Sequence, residues 1–390
     1  MNILYIGAFR LPNLDAAAPR VLNNAKVLRK LGHSVNLISW GGRYRNEDLC
    51  PDGKYRIDGF EYYISGDLPL GDSIKERLLT KIFRGNKAIK ILESIIKPDL
   101  IITYNADYSF SRKMIRYCKN NNIKLANDIN EWYANCELHL LDILRNHINM
   151  TRIQHKIRNK IVISSFLNNY YKDSNNVLIP PLCDPEEAKW TTEINDERIK
   201  PYDGITLIYA GTPGKKDIIH SVINAVNTLA GEGYAIRFII LGISRDSYMM
   251  MYSKFLNTQQ LHENIIFLGR VSQDLIPAYY KMADFMILVR KPNRKNMAGF
   301  PTKFAESMIA DVPVITNATS DMNNYVKDGK NGFIVNGYDY DSIIYTLKNF
   351  VLRLHKDDIR EMKNCVHSFN SDFDWHSHVS DFRKFIQNLK

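Results

Sequence analysis

Short hydrophobic runs alternate along the chain with stretches in which apolar residues recur at helical spacing. In the first half these runs predict strands near residues 2–8, 34–39, 99–103, 123–127, 160–164 and 176–179, with helices near 19–31, 74–96, 111–121 and 138–158. In the second half they predict strands near 205–209, 235–241, 264–268, 284–289 and 312–316, with helices near 217–230, 247–260, 272–282 and 301–310. Strands that alternate with helices are typical of parallel sheets covered by helices. The pattern therefore predicts an α/β protein.

The alternation of strands and helices is interrupted once, in the polar and weakly periodic segment 185–203. A chain of 390 residues exceeds the size at which a single hydrophobic core keeps growing. We therefore predict two doubly wound domains, residues 1–184 and 204–372, joined by this linker. The last segment, 373–390, carries one apolar face, formed by Trp375, Val379, Phe382, Phe385 and Ile386, and we expect it to pack back onto the first domain.

The composition is ordinary for a globular protein, with 45% hydrophobic and 24% charged residues. No apolar run approaches the roughly 20 residues that span a bilayer, and the first residues resemble a buried strand rather than a signal peptide. We therefore expect a cytoplasmic protein. The five cysteines are widely spaced without a C-x-x-C pair, which indicates isolated thiols rather than disulfides or a zinc site.

The net charge of +10 is concentrated in the first half of the chain. Residues 1–190 contain 28 Lys and Arg against 20 Asp and Glu, whereas residues 191–390 contain 24 against 22. A polyanionic partner would therefore meet the first half. Segment 74–96 combines basic and apolar residues, which suits either peripheral contact with an anionic membrane or an ordinary solvated face above a core stripe.

Two loops of the second half carry candidate chemistry for binding phosphate. Tyr209 to Asp217 follows the first strand there, and its Gly211 and Gly214 allow close backbone approach while Lys215 and Lys216 add positive charge. This spacing is not a Walker motif, and a plain surface turn suits it equally well.

The other loop runs from Phe285 to Met308. A hydrophobic strand leads into a basic, glycine-containing segment with Arg290, and Pro301 suits the first turn of the helix that follows. Glu306, about one turn into that helix, could accept two hydrogen bonds from a ribose diol. Alternatively, Glu306 could simply complement the positive end of the helix.

Residues 298–315, Ala-Gly-Phe-Pro-Thr-Lys-Phe-Ala-Glu-Ser-Met-Ile-Ala-Asp-Val-Pro-Val-Ile, resemble the signature of glycosyltransferase family 4, which comprises retaining group 1 enzymes. The form A-G-F-P-T-K-F-x-E is similar to a subgroup of bacterial polysaccharide enzymes. The second glutamate of the signature matches Glu306, but Ala298 occupies the place of the first, which is associated with the donor sugar. Weaker similarities at residues 28–35, 177–184, 267–271 and 326–333 follow the family's order.

The resemblance implies a GT-B fold, in which two Rossmann-like domains with doubly wound parallel sheets face each other across a cleft. It also implies a retaining glycosyltransferase that moves a sugar from a nucleotide-diphosphate sugar to a glycan or lipid-linked saccharide in surface polysaccharide biosynthesis. The reaction would need no metal, and we expect no cofactor. The donor-binding residues would be Gly211, Thr212, Lys216, Arg270, Val271, Arg290, Gly299, Phe300, Pro301, Thr302, Lys303 and Glu306.

Within that set, we predict that Lys216 and Arg290 converge on the departing diphosphate, because positive charge stabilises the growing negative charge. The family more often has an arginine after the first glycine, where this chain has Thr212, so Arg290 would supply the second cation.

In the first domain, Arg20, Asp128 and Glu131 are candidates for the acceptor or donor-sugar side. Ordinary structural roles suit each of them about equally well. Two alternative functions stay open. A sugar-nucleotide epimerase could use the same architecture, and a basic binding protein could exist without enzymatic activity, although no nucleic-acid motif is present.

Overall fold

A computed structural model describes residues 1–12, 15–42, 54–67, 83–95, 97–133, 140–214, 216–258 and 260–390. The described chain divides into two compact units. One unit comprises Met1–Cys183 together with Trp375–Lys390, and the other comprises Asp184–Asp374. Each unit is built around one sheet with helices packed on it.

The sheet of the first unit has eight strands in the order β3-β4-β2-β1-β5-β6-β7-β8. Neighbouring strands pair in parallel except β3 and β4, whose antiparallel pair lies at one edge and departs from the all-parallel prediction. The strands are β1 (Asn2–Leu11), β2 (Ser34–Gly42), β3 (Tyr55–Ile57), β4 (Phe60–Ile64), β5 (Leu100–Tyr104), β6 (Lys124–Ile129), β7 (Asn159–Val162) and β8 (Asn175–Leu178).

The sheet of the second unit has six parallel strands in the order β11-β10-β9-β12-β13-β14. Numbered within this unit, the order is 3-2-1-4-5-6, which is that of a Rossmann fold. The strands are β9 (Ile205–Ala210), β10 (Ile236–Leu241), β11 (Ile265–Gly269), β12 (Phe285–Leu288), β13 (Val314–Asn317) and β14 (Gly332–Val335).

Helices alternate with the strands, and the helices at 165–170, 294–298, 322–325, 340–349 and 356–367 add to those that the hydrophobic pattern predicts. In the first unit they are α1 (Ala17–Lys30), α2 (Asn86–Ser94), α3 (Tyr108–Asn121), α4 (Leu140–Ile148), α5 (Ser165–Tyr170) and, at the end of the chain, α14 (Val379–Gln387). In the second unit they are α6 (Ile219–Gly231), α7 (Arg245–Tyr252), α8 (Ile276–Lys281), α9 (Arg294–Ala298), α10 (Thr302–Ile309), α11 (Met322–Tyr325), α12 (Tyr340–Asn349) and α13 (Lys356–His367).

Three predicted helices differ from the observed ones. The helix expected at 247–260 begins at Arg245 and ends at Tyr252, as α7. The helix expected at 138–158 ends at Ile148 and continues as a π-helical turn, Asn149–Ile153, and a 3-10 turn. Only the second part of the helix expected at 74–96 is described, as α2, and residues 74–82 of the basic segment proposed for membrane contact lie outside the described residues. None of the described helices is long and apolar enough to cross a membrane.

The end of the chain packs on the core of the first unit. Trp375, Phe382, Phe385 and Leu389 are buried against residues of β1, β2, β5 and α1, and Val379 and Ile386 border the same cluster. The segment predicted as a linker, 185–203, belongs to the second unit, where Trp190 is buried and its indole N–H donates to the Asp184 carbonyl at 2.6 Å.

Candidate functional site

The order of strands in the second unit reverses between β9 and β12. At such a point the helices that follow the two strands lie on opposite faces of the sheet, which leaves a crevice at the carboxyl ends of the strands. Gly211 directly follows β9, and Arg290 follows β12. Asp217 forms an isolated bridge with Arg290, so the loop after β9 is joined to the loop after β12.

Two glycines at this edge permit a very close backbone approach. A Cβ atom on Gly242, which follows β10, would lie 2.5 Å from the Gly211 carbonyl carbon and oxygen. A Cβ atom on Gly211 would lie 2.9 Å from Nζ of Lys303. Gly211 has φ +137° and Gly242 has φ +102°, a region that disfavours other residues. The backbone of Gly211, rather than a side chain, therefore lies beside the Lys303 ammonium.

Four side chains form a cluster beneath this loop, hereafter the cation cluster, consisting of Tyr209, Asp217, Arg290 and Lys303. Arg290 Nε donates to Asp217 Oδ1 at 2.6 Å, and Lys303 Nζ donates to Asp217 Oδ2 at 2.8 Å. The Tyr209 hydroxyl donates to Asp217 Oδ2 at 2.5 Å and accepts from Lys303 Nζ at 2.8 Å. Two cations and one carboxylate leave the cluster with one net positive charge.

The charges of the cation cluster depend on one another. Burial alone would raise the pKa of Asp217, but Arg290 and Lys303 hold that pKa well below its usual value, so the carboxylate stays ionised. Burial and the neighbouring Asp217 raise the pKa of Tyr209, which therefore stays protonated. Burial lowers the pKa of Lys303, and Asp217 opposes this effect. Asp217 thus favours the protonated ammonium at this position.

The backbone of Arg290 is fixed by the end of the neighbouring strand β13. Its N–H donates to Asn317 Oδ1 at 3.0 Å, and its carbonyl accepts from Asn317 Nδ2 at 2.8 Å and from Thr319 Oγ1 at 3.1 Å. Arg290 is therefore held at both ends, its guanidinium by Asp217 and its backbone by Asn317 and Thr319.

Helix α10 begins beside the cation cluster. Pro301 precedes its first residue, Thr302, and the first-turn amides have no side-chain cap. Lys303 and Glu306 lie one turn apart on this helix, which places their side chains on the same face. Glu306 is half-buried, and burial raises its pKa against the opposing effect of Lys189 and Lys303. No described residue donates a hydrogen bond to its carboxylate.

The segment before α10 is held by aromatic packing. The Phe300 ring contacts the rings of Phe304, Tyr325 and Phe373, with centroids 5.5, 5.7 and 6.1 Å away. The Phe300 side chain is thus directed into the core, and only the backbone of Gly299 and Phe300 is left for the donor contacts predicted there. Ala298, at the position of the first signature glutamate, is fully buried.

The remaining predicted donor-binding residues lie around the same edge. Thr212 is exposed, with its hydroxyl 3.5 Å from the Gly242 carbonyl oxygen. Arg270 and Val271 directly follow β11. Lys216 is half-buried next to Asp217, and its carbonyl accepts from Asn296 Nδ2 at 3.4 Å. The cation that shares the Asp217 carboxylate with Arg290 is Lys303, whereas the sequence prediction paired Arg290 with Lys216.

In the first unit, Arg20 and Asp128, the residues predicted for the acceptor or donor-sugar side, bind each other. Arg20 Nη2 lies 2.9 Å from Asp128 Oδ1, and the two side chains are only 3% and 0% exposed. Arg20 also donates to the carbonyls of Ile179 and Pro180, and Asp128 accepts from Tyr5. These hydrogen bonds engage the polar atoms of both side chains and connect α1, β6 and the end of β8. We therefore interpret the Arg20–Asp128 pair as structural.

Glu131 lines a cavity of about 320 Å³ at the carboxyl end of β5 and β6. Two arginines of the lining, Arg84 and Arg145, stand among carboxylates and amides, and Arg84 pairs with Asp107 at 2.7 Å. Carboxylates, amides and tyrosines are the groups that bind sugar hydroxyls, and this volume is at the small end of ligand pockets.

Sequence analysis missed Asp217 and Tyr209, and it also missed Lys189, which faces Glu306 from the segment predicted as a linker. The carboxylate at the end of an otherwise basic loop was the signal by which Asp217 could have been found. Among the described residues, no group of three or more His, Cys, Asp or Glu side chains is arranged to hold a metal ion.

The chain is similar to known glycosyltransferases. A family model described as glycosyl transferases group 1 matches residues 191–358. The Staphylococcus aureus capsular polysaccharide biosynthesis glycosyltransferase CapM is 24% identical over 191 residues, which cover 47% of each chain. The chain spans about half the length of the curated relatives it matches.

Solved structures extend the similarity over the whole chain. A sucrose-phosphate synthase from Thermosynechococcus elongatus has a TM-score of 0.75 at 14% identity, covering 100% of this chain and 98% of its own. Anabaena HepE in complex with UDP-glucose has a TM-score of 0.68 at 13% identity, covering 100% and 99%. These similarities confirm the predicted GT-B fold. Residues 191–358 are therefore similar to the glycosyl transferases group 1 family, and the whole chain shares the fold of these solved structures.

Proposed function

We propose that this protein is a retaining glycosyltransferase that moves a sugar from a nucleotide-diphosphate sugar to a glycan or lipid-linked saccharide. The observation that carries the proposal is the cation cluster, in which an ammonium and a guanidinium share one buried carboxylate beneath the glycine-lined end of β9. The capsular polysaccharide role of CapM and the UDP-glucose bound to HepE support a nucleotide sugar donor and surface polysaccharide synthesis.

The donor nucleotide would lie across the carboxyl ends of β9, β10 and β11. Glu306 would accept hydrogen bonds from the ribose diol, because its carboxylate is half-buried and receives none from the described residues. The first-turn amides of α10, together with the backbone at Gly211, would bind the diphosphate. Arg270 and Val271 would contact the nucleobase.

Lys303 and Arg290 would stabilise the departing diphosphate. An ammonium has three N–H groups, and Lys303 directs two of them to Asp217 and Tyr209, so a third can bond to a phosphate oxygen. Negative charge on the diphosphate grows as the sugar bond breaks, so this contact strengthens toward the transition state. Lys216, on the same loop as Gly211, would add a further positive charge.

The proposed reaction exchanges one bond at the anomeric carbon for another. The bond from the anomeric carbon to the diphosphate oxygen breaks, and the oxygen takes the electron pair. The acceptor hydroxyl forms its bond to the anomeric carbon on the same face, and its proton passes to the departing phosphate oxygen. The residues of the cation cluster need not exchange a proton, and we propose that the step requires no metal ion.

The acceptor saccharide would occupy the cavity bordered by Glu131, Arg84 and Arg145 in the first unit. Its polar lining suits sugar hydroxyls, and the two arginines suit an acidic sugar or a nearby phosphate.

A thermal-shift screen with nucleotides and nucleotide sugars, in buffer that contains EDTA, tests the donor. A ligand that binds the folded protein raises the unfolding temperature as its concentration exceeds Kd. We expect a nucleoside diphosphate and its sugar derivative to stabilise the protein, followed by transfer to a saccharide with retained configuration. Consumption of the nucleotide sugar without an acceptor, yielding an epimer, would favour the epimerase, and no stabilisation by any nucleotide would contradict the proposal.

A further inference from the structure

A charged surface of the first unit lies at the amino-terminal ends of the strands, at the other end from the candidate acceptor cavity. A groove of about 1070 Å³ runs along the amino-terminal ends of β5, β6 and β7. We name it the basic groove after the Lys and Arg side chains that line it, namely Lys97, Lys119, Lys124, Lys156, Arg158 and Lys390.

The basic groove concentrates positive charge. The six Lys and Arg side chains named above are all exposed, and Asp99 is the only carboxylate side chain among the described residues of the lining. The described side chains of the lining therefore sum to a charge of +5, from six cations and one carboxylate. The Asp99 carboxylate is already engaged, because Oδ2 accepts from the backbone N–H of Asn2 at 2.7 Å. It does not form an ion pair with any of the six cations among the described residues.

The basic groove is separate from the candidate acceptor cavity. That cavity lies at the carboxyl ends of β5 and β6, whereas the groove lies at their amino-terminal ends. Strands of five and six residues separate the two edges by roughly 15–20 Å, at about 3.3 Å per residue. A group bound in the groove therefore does not occupy the candidate acceptor cavity.

The composition of the lining identifies the kind of ligand. Five of the six cations are lysines, which act as point charges with little demand on geometry, whereas arginine is suited to fixed bidentate contacts. The part of the lining that the structure describes contains no aromatic residue, and proteins that bind single-stranded nucleic acid stack the bases on aromatic rings. A concave groove also does not follow a flat bilayer surface. A flexible chain with repeated anionic groups and no bases fits all three observations, namely the many lysines, the missing aromatic rings and the concave shape.

We infer that the basic groove binds a flexible polyanionic chain, such as a polymer that carries phosphate or carboxylate groups, at a site distinct from the donor and acceptor sites. Such a site would hold an anionic polymer near the enzyme without placing it at the reacting centre. This inference does not depend on the glycosyl transfer proposed above.

Binding of inorganic polyphosphate to the full chain tests the inference. We expect calorimetry to show affinity that falls as salt increases, since binding releases counterions. In the triple variant Lys119→Gln, Lys156→Gln, Arg158→Gln, affinity should fall about tenfold or more because three cations of the groove are lost. A matched variant, Lys254→Gln, Lys330→Gln, Arg353→Gln, removes two lysines and one arginine from exposed positions of the second unit. It should bind within about twofold of wild type.

Equal losses in the two triple variants would overturn the inference, because binding would then follow net charge alone. Groove-dependent binding of anionic vesicles or of a single-stranded oligonucleotide, without binding of polyphosphate, would also overturn it. Poly-glutamate as a second probe distinguishes carboxylate-bearing from phosphate-bearing chains, both of which the inference includes. Unchanged nucleotide binding and unfolding temperature in the groove variant would establish that a loss of polyphosphate binding is local.

Discussion

The ammonium of Lys303 lies 2.8 Å from Oδ2 of Asp217, although 86 positions separate the two residues in the chain. The same carboxylate binds Arg290 through its other oxygen, so one buried acid orders two cations from two different segments. We interpret Asp217 as a positioning residue, which holds Lys303 and Arg290 at the end of β9 without itself meeting the anionic donor.

Replacement of Asp217 by Asn should lower kcat more than it raises KM for the donor. The neutral amide no longer orders both cations, and burial, unopposed by the carboxylate, lowers the pKa of Lys303 further. Removal of one partner from a buried ion pair also costs stability, roughly 3–5 kcal/mol. Steady-state kinetics with a varied nucleotide sugar, together with chemical unfolding, measures both effects.

Two further variants keep this prediction testable if the Asn variant fails to fold. Tyr209→Phe removes one hydrogen bond to Lys303 and one to Asp217 while retaining the ring, and it should reduce kcat more mildly. Asp196→Asn serves as the control, because Asp196 pairs with the exposed Arg198 in the same unit. An Asp217 variant that folds and keeps wild-type kcat would refute the positioning role.

The rate of transfer should fall at high pH as Lys303 loses its proton. Burial lowers the pKa of Lys303 below that of an ordinary lysine, about 10.4, although Asp217 opposes the shift. The ammonium is the active form, so the alkaline limb of the kcat profile should begin below that value. Lys303→Arg keeps the charge at all accessible pH, and its limb should move upward. If the alkaline limb of the kcat profile lies at the same pH in wild type and variant, the limb reports another group.

The sequence predicted the order of strands and helices well, because the signal was local. Hydrophobic runs predicted five of the six strands of the second unit, all but β14. They also placed Gly211 at the end of a strand and Glu306 about one turn into a helix. These features depend on neighbours in the chain, and periodicity and turn chemistry report on such neighbours directly.

The cation cluster could not be predicted in the same way. Asp217, Arg290 and Lys303 meet only because β9 and β12 are neighbours in the sheet and α10 packs beside them. The same limit explains Arg20 and Asp128, which lie 108 positions apart, so the sequence did not indicate that each neutralises the other. The same residue types bind a ligand in one protein and a buried partner in another, so residue type alone does not distinguish the two roles.

Replacement of Glu306 by Ala should weaken nucleotide binding. Hydrogen bonds to a charged group contribute about 1.5–3 kcal/mol, so the dissociation constant should rise roughly 10- to 100-fold. Glu263→Ala, at an exposed position of the same unit, is the matched control and should bind normally. Calorimetric titration with the nucleoside diphosphate measures the change, and equal affinity in both variants would remove Glu306 from the ribose site.

Lys160 gives the fold a dependence on pH that is unrelated to the site. Its side chain is fully buried, where burial lowers its pKa to about 7, and its ammonium donates to Ser174 Oγ at 2.7 Å. The unfolded chain binds the proton up to about pH 10.4, so the free energy of unfolding should rise between pH 7 and that value. Lys160→Met should flatten this rise in urea unfolding measured across the range. A rise of the same size in the variant would contradict the assignment.

The central claim is that Lys303 stabilises the departing diphosphate of a nucleotide sugar without the help of a metal ion. The most direct test measures kcat and donor KM of Lys303→Met and wild type in excess EDTA, after a donor has been found. The account predicts that wild type turns over normally in EDTA, and that the variant loses roughly 10²-fold in kcat with a smaller change in KM. A folded variant with near-normal kcat, or a wild type that turns over only after Mg²⁺ or Mn²⁺ is restored, would contradict it.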